Sequence, residues 1–122
     1  MASEGKRPRL MAPPGACDTH MHVYDDRFKL APTATFKPPQ APTADYLAMR
    51  RRIGVSRTVV VQPTGYGYDN ACTLEAMAAM GGSARGIAVV PTDVTEAELD
   101  RLTRAGMRGI RYFMLPGGVL PW

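Results

Sequence analysis

The sequence is short of several things that would each point to a different kind of protein. It has two cysteines, Cys17 and Cys72, too few for a disulfide framework. Read as a probable strand residue and a probable helix residue, both are expected to be reduced, packed thiols in a cytoplasmic protein. No apolar run approaches the roughly 18 residues of a membrane span. Residues 1–14 lack the apolar core of a secretory signal and read as a short disordered leader. Aromatic residues make up 7% of the chain, and no basic stripe is interleaved with stacking aromatics, so nothing favours nucleic acid as a partner despite a net charge of +4. The triplet Arg50-Arg51-Arg52 reads as the solvated face of a helix. There are two histidines, His20 and His22, one residue apart.

What is present is alternation. The 122 residues fit one ordinary domain. Residues 16–23 read as a first strand, and a proline-rich connection over 24–42 follows, long enough to suggest a lid or a surface excursion. A helix is expected from Thr43, capped by Thr43 or Asp45 and closed by Gly54. The run Thr58-Val59-Val60-Val61 is too continuously β-branched for a strand with one wet face and reads as buried on both sides, as in parallel sheets.

Asp69 or Asn70 is expected to cap a second helix with Leu74, Met77 and Ala78 inward. A third strand is expected over 85–90, and Thr95-Glu96-Ala97-Glu98 fits a capping box for a third helix ending at Gly106. A fourth strand is expected over 107–113. The order strand-helix-strand-helix-strand-helix-strand predicts an α/β fold with a parallel sheet and right-handed crossovers. A complete (β/α)8 barrel takes about 250 residues, so four strands and three helices read as the N-terminal half of a TIM-type barrel, a fragment, with a small open α/β sheet as the alternative.

In such folds sites gather at the C-terminal ends of the strands. Strand alternation puts Asp18, His20 and His22 on one face, with the two imidazoles about 7 Å apart along the strand. An H-x-H pair suits a divalent ion as an open partial site, or else is a hydrogen-bonded polar pair at a strand end. Arg111, set in an apolar strand, either pairs with a carboxylate, forks an anionic ligand, or is solvated beside Arg108.

In order and spacing, the segments Gly15-Ala16-Cys17-Asp18-Thr19-His20-Met21-His22-Val23, Val59-Val60-Val61-Gln62, Asp69-Asn70, Arg85-Gly86-Ile87-Ala88 and Met107-Arg108-Gly109-Ile110-Arg111-Tyr112 resemble the amidohydrolase-related (amidohydrolase 2) family. Its 2-pyrone-4,6-dicarboxylate lactonase-like branch and related sugar-lactone enzymes are the most similar. The resemblance implies that residues 15–122 form part of a distorted (β/α)8 barrel. It also implies a hydrolase opening the lactone ring of a small carboxylated substrate. His20 and His22 match the catalytic strand-one pair, which in many members ligates a divalent metal such as zinc or manganese and in the lactonase branch works without a tightly held one. Thr64 matches a substrate-side residue, and Arg111 an arginine that grips a substrate carboxylate.

Three departures put the dicarboxylate itself in question: Phe36 for a tyrosine, Tyr66 for a histidine, and Leu115-Pro116-Gly117-Gly118 for a basic segment. A sugar-acid lactone is an equally good expectation. The family's later histidine and strand-eight aspartate have no counterpart up to Trp122, so the fragment is expected to be inactive alone. A decarboxylase of the same superfamily and a non-catalytic truncated chain are the competing readings.

Overall fold

The computed structural model describes residues 5–120. The first four residues of the expected leader and Pro121-Trp122 lie outside them. Within the described part of that leader, the Ala12 N–H donates to the Ile53 carbonyl (2.9 Å), tying the approach to β1 against the end of the first helix.

Four strands and three helices alternate: β1 (Cys17–Met21), α1 (Thr43–Ile53), β2 (Arg57–Val61), α2 (Ala71–Met80), β3 (Ala84–Ala88), α3 (Glu96–Arg104) and β4 (Met107–Ile110). All neighbouring pairs are parallel, in the order β1-β2-β3-β4. This is the N-terminal half of a (β/α)8 barrel, with the helices on one face of the sheet and the barrel lumen side on the other.

Local chemistry sets most element ends. Gly54 closes α1 in the left-handed region (φ 84°), where a Cβ is costly. Thr95 opens α3 by accepting the Glu98 N–H on its hydroxyl, as the capping box requires. Neither Thr43 nor Asp45 caps α1, which starts after Pro42 without a side-chain cap. At α2 the Asp69 carboxylate accepts the Ala71 N–H, whereas Asn70 turns away from the helix. The Asn70 amide exchanges two hydrogen bonds with the backbone of Val89 (2.8 and 3.1 Å), fastening the α2 entry to the end of β3. The buried face of α2 is Cys72, Thr73, Ala76, Met77 and Met80, and Ala78 is exposed, a one-position rotation from the expected stripe.

The core lies between sheet and helices. On β2, Thr58, Val60 and Gln62 face the helices and are buried, Val60 and Gln62 to 0% exposure. Ala84 and Ala88 do the same on β3, with Gly86 between them against Met77 and Met107. A buried amide needs partners. Gln62 has three: its Nε2 donates to the carbonyls of Gly67 and Asp69, and its Oε1 accepts from the Thr73 hydroxyl (2.6 Å).

Each edge strand carries one extra residue. Between β1 and β2, Asp18 pairs with Thr58 and Met21 with Val60, three steps against two. Between β3 and β4, Gly86 pairs with Met107 but Ile87 with Gly109, one step against two. Such a bulge reverses the alternation beyond it. Asp18 and Met21 therefore both face the helices, and Asp18 accepts a hydrogen bond from the Tyr46 hydroxyl of α1 (3.1 Å). His20 and His22 face the lumen side. The expectation that Asp18 shares their face is thus overturned by the bulge. On β4 the same device leaves Met107 in the core and Ile110 packed against it, and turns Arg111 to the lumen side.

Candidate functional site at the lumen-side mouth

Both bulged strands deliver their polar residues to the C-terminal end of β2. His22, just past β1, has its Nδ1 2.8 Å from the Val61 carbonyl oxygen. A carbonyl only accepts, so Nδ1 carries the hydrogen and Nε2 keeps its lone pair. Arg111 donates from Nη1 to the next carbonyl, that of Gln62 (3.1 Å), and its backbone N–H continues the ladder to Ala88 (2.8 Å). Its guanidinium also lies over the Phe113 ring, 5.0 Å from the centroid. The two side chains are thus pinned by successive carbonyls of one rigid, central strand.

His20 is exposed and stands edge-on to His22, ring centroids 5.1 Å apart. Its backbone N–H donates to the Asp18 carboxylate (3.1 Å), so Asp18 shapes the bulge rather than joining the histidines. Burial pushes the His22 imidazole below its ordinary value of 6.5; its bond to Val61 opposes this, and the nearby Arg111 and His20 add to the lowering. His22 is therefore neutral at neutral pH.

Thr64 lies at the start of the short turn Thr64–Tyr66 after β2, beside Tyr24 in a small cleft, rather than against the histidine pair. Tyr24 went unnoticed in the sequence although it stands two residues past His22. Its ring is 6.3 Å from His22 and 5.8 Å from Tyr66, and burial raises its phenol while the Arg111 charge opposes this. Tyr66, at the position where a histidine is the family pattern, is a buried structural residue. Its hydroxyl donates to the Asp25 carbonyl and accepts the Asp25 N–H (3.0 and 2.9 Å). The long connection after β1 is pinned in the same way, by the paired backbones of Tyr24 and Ala41 and by the ion pairs of Arg27 with Asp25 and Glu75. Phe36 is exposed, and of the two thiols Cys72 is packed while Cys17 is exposed, contrary to the expectation of two packed thiols.

His20 and His22 are two donors on one face, and among the described residues no group of three or more His, Cys, Asp or Glu side chains is arranged to hold a metal ion. A zinc site takes three or four protein ligands. The described residues alone do not fit a resident divalent ion. No helix among them is long and apolar enough to cross a membrane.

A family model described as amidohydrolase matches residues 17–122. The chain belongs to the amidohydrolase family. It is 40% identical over 108 residues to 2-pyrone-4,6-dicarbaxylate hydrolase of Comamonas testosteroni, covering 87% of this chain and 35% of that protein. It is 33% identical over 118 residues to D-galactarolactone isomerase of Agrobacterium fabrum, covering 95% of this chain and 40% of that protein. An apo crystal structure from Agrobacterium tumefaciens superposes with a TM-score of 0.85 at 33% identity, over 95% of this chain and 42% of that one. The chain therefore spans about two fifths of the length of these amidohydrolase relatives, and the mouth just described is the part of the barrel it supplies.

Proposed function

We propose that this amidohydrolase chain supplies the substrate-binding face and one proton-transfer group of a hydrolase acting on the lactone ring of a small carboxylated substrate. The observation that carries this is the anchoring of His22 and Arg111 on the successive carbonyls of Val61 and Gln62, facing the same side. A guanidinium fork is a fitting partner for a substrate carboxylate. With Nδ1–H committed to Val61, the neutral His22 offers Nε2 to a water. That water attacks the lactone carbonyl as His22 takes its proton; the proton then goes to the ring oxygen as the C–O bond breaks, giving a hydroxy acid. His20 and Thr64 flank the ring as the further catalytic and substrate-binding residues. The dicarboxylate named for the Comamonas relative supports the carboxylate requirement.

The test is a chimera in which residues 1–122 replace the matching part of the Comamonas protein, assayed for ring opening of 2-pyrone-4,6-dicarboxylate by loss of ring absorbance. His22→Asn is expected to lower kcat by about 10²–10⁴-fold, the usual range for a general base. Arg111→Gln is expected to raise KM at least about tenfold. A His22→Asn chimera with unchanged kcat ends the assignment.

A second reading, lactone isomerisation, is favoured by the Agrobacterium isomerase, which matches nearly the whole of this chain. There a substrate hydroxyl replaces water as the group that His22 deprotonates. Product mass separates the two, since hydrolysis adds a water and isomerisation adds nothing.

A further inference from the structure

On Tyr24, whose ring stands 6.3 Å from that of His22, opens a cleft of about 20 Å³, lined also by Thr35, Phe36, Pro38, Thr64 and Gly117. That volume suits one water-sized group and excludes a carboxylate or a ring. Three of its walls carry hydroxyls, those of Tyr24, Thr35 and Thr64, and none of the three makes a hydrogen bond among the described residues. The buried hydroxyls of Tyr46, Tyr66 and Thr73 are used, donating to the Asp18 carboxylate, the Asp25 carbonyl and the Gln62 amide oxygen. Gly117 keeps the cleft open. It sits at φ 95°, and a Cβ there would stand 3.3 Å from the Thr35 hydroxyl. The Tyr24 ring is held by Tyr66 behind it and by the Tyr24–Ala41 backbone pairing, so its hydroxyl is preorganised rather than free to swing.

We infer that Tyr24, Thr35 and Thr64 form a subsite for a single hydroxyl of the substrate, and that it selects a hydroxylated, sugar-acid lactone over a flat unsaturated one. The inference rests on the lactone reading above and deepens it. Arg111 orients the carboxylate, and the cleft then reads whether the ring carries a hydroxyl within reach of Tyr24. A ring without hydroxyls leaves the three groups to water and gains nothing from them.

Calorimetric titration of the 122-residue chain near neutral pH with two probes, D-galactarolactone and 2-pyrone-4,6-dicarboxylate, tests this. Tyr24→Phe keeps the ring and its packing and removes only the hydroxyl. It is expected to weaken D-galactarolactone about five- to tenfold, the scale of one hydrogen bond, and to leave the pyrone within about twofold. Thr35→Val, a second and separately placed removal, is expected to act in the same direction. Arg111→Gln is the control for the underlying reading and should weaken both probes. If Tyr24→Phe and Thr35→Val leave D-galactarolactone unchanged, or weaken both probes alike, the subsite is overturned. If the wild-type chain binds the pyrone but not D-galactarolactone, the subsite falls and the lactone reading stands. If it binds neither, both fall.

Discussion

Deleting Thr19 from β1 is the sharpest test of how this site is built. A one-residue deletion in a regular strand slips its register and sends every following side chain to the opposite face. In a regular β1 it would carry Val23, 3% exposed, out of the core and push His22 into it. Exposing a valine costs about 1.5–3 kcal/mol and burying an unpaired imidazole about 1–3 more, so roughly 4 kcal/mol would be lost. That is much of a domain's 5–15 kcal/mol, by the usual range. The observed β1 is not regular. Asp18 opposite Thr58 and Met21 opposite Val60 are separated by one residue too many. Removing Thr19 leaves both pairings in place, with His20 opposite Val59.

The identifiable loss is the exposed hydrogen bond from the His20 N–H to Asp18, about 1 kcal/mol. Equilibrium unfolding in urea should therefore show a midpoint shift of less than about 1 M. The His22 ring should also keep its protected Nδ1–H in nitrogen-edited spectra. The matched control is deletion of Val59 in β2, whose pairing with β3 runs without a bulge and which should not fold. A Thr19 deletion that costs about 4 kcal/mol, or a Val59 deletion that is tolerated, would refute the bulge argument and with it the shared face of His22 and Arg111.

Other consequences are quicker to check. His22 should titrate below 6.5 by NMR. Because its folded value is lowered, the unfolded chain binds the proton first, and stability contributed by neutral His22 is kept above 6.5 and lost as pH falls toward the folded value. His22→Asn should flatten that part of the stability profile relative to wild type, and a midpoint at or above 6.5 would contradict the geometry. Thr73→Val removes the only partner that the buried Gln62 Oε1 has among the described residues and should cost about 1–3 kcal/mol in urea unfolding; a loss under about 0.5 kcal/mol would mean that the amide finds another partner. In hydrogen exchange the amides of β2 and β3, paired on both sides, should outlast those of β1 and β4, which have one neighbour each; equal protection across the four strands would contradict this order.

Much of this was legible in the sequence, for physical reasons. A β-branched run such as Thr58 to Val61 has few alternatives to a buried strand, and glycines at helix ends and a threonine three residues before a glutamate act locally. The alternation of elements then follows from parallel connections, so the half barrel was readable, as was the gathering of His20, His22 and Arg111 at the C-terminal ends of its strands. What failed was parity. Pattern reasoning assumes two residues per repeat, and nothing in Asp18-Thr19-His20 or Arg108-Gly109 announces an extra residue, because a bulge is decided by pairing with the neighbouring strand. Of the two cap candidates, Asp69 takes the helix N–H, and the use made of Asn70 was hidden for a related reason. As a helix cap it satisfies one local N–H, whereas facing Val89 it satisfies both a donor and an acceptor at the buried end of β3.

The placement of the two bulges carries a further consequence for how such a mouth is assembled. Both occur on the outer strands of the four, and the pairing of β2 with β3 is regular. Without them, strict alternation from Asp18 and Met107, which face the helices, would direct His20, His22 and Arg111 to the helices too. With one extra residue on each outer strand, all three turn to the lumen side while Met21, Val23, Met107 and Ile110 stay in the core cluster or against it. The regular strand between them then does the aligning, since its carbonyls at 61 and 62 are fixed by the sheet and hold one partner each. Core packing and site geometry are thereby uncoupled. Substitutions in the helix-facing set should change stability without moving the imidazole relative to the guanidinium, whereas any change in residue count between Asp18 and Met21 that does not simply remove the extra residue should scramble both.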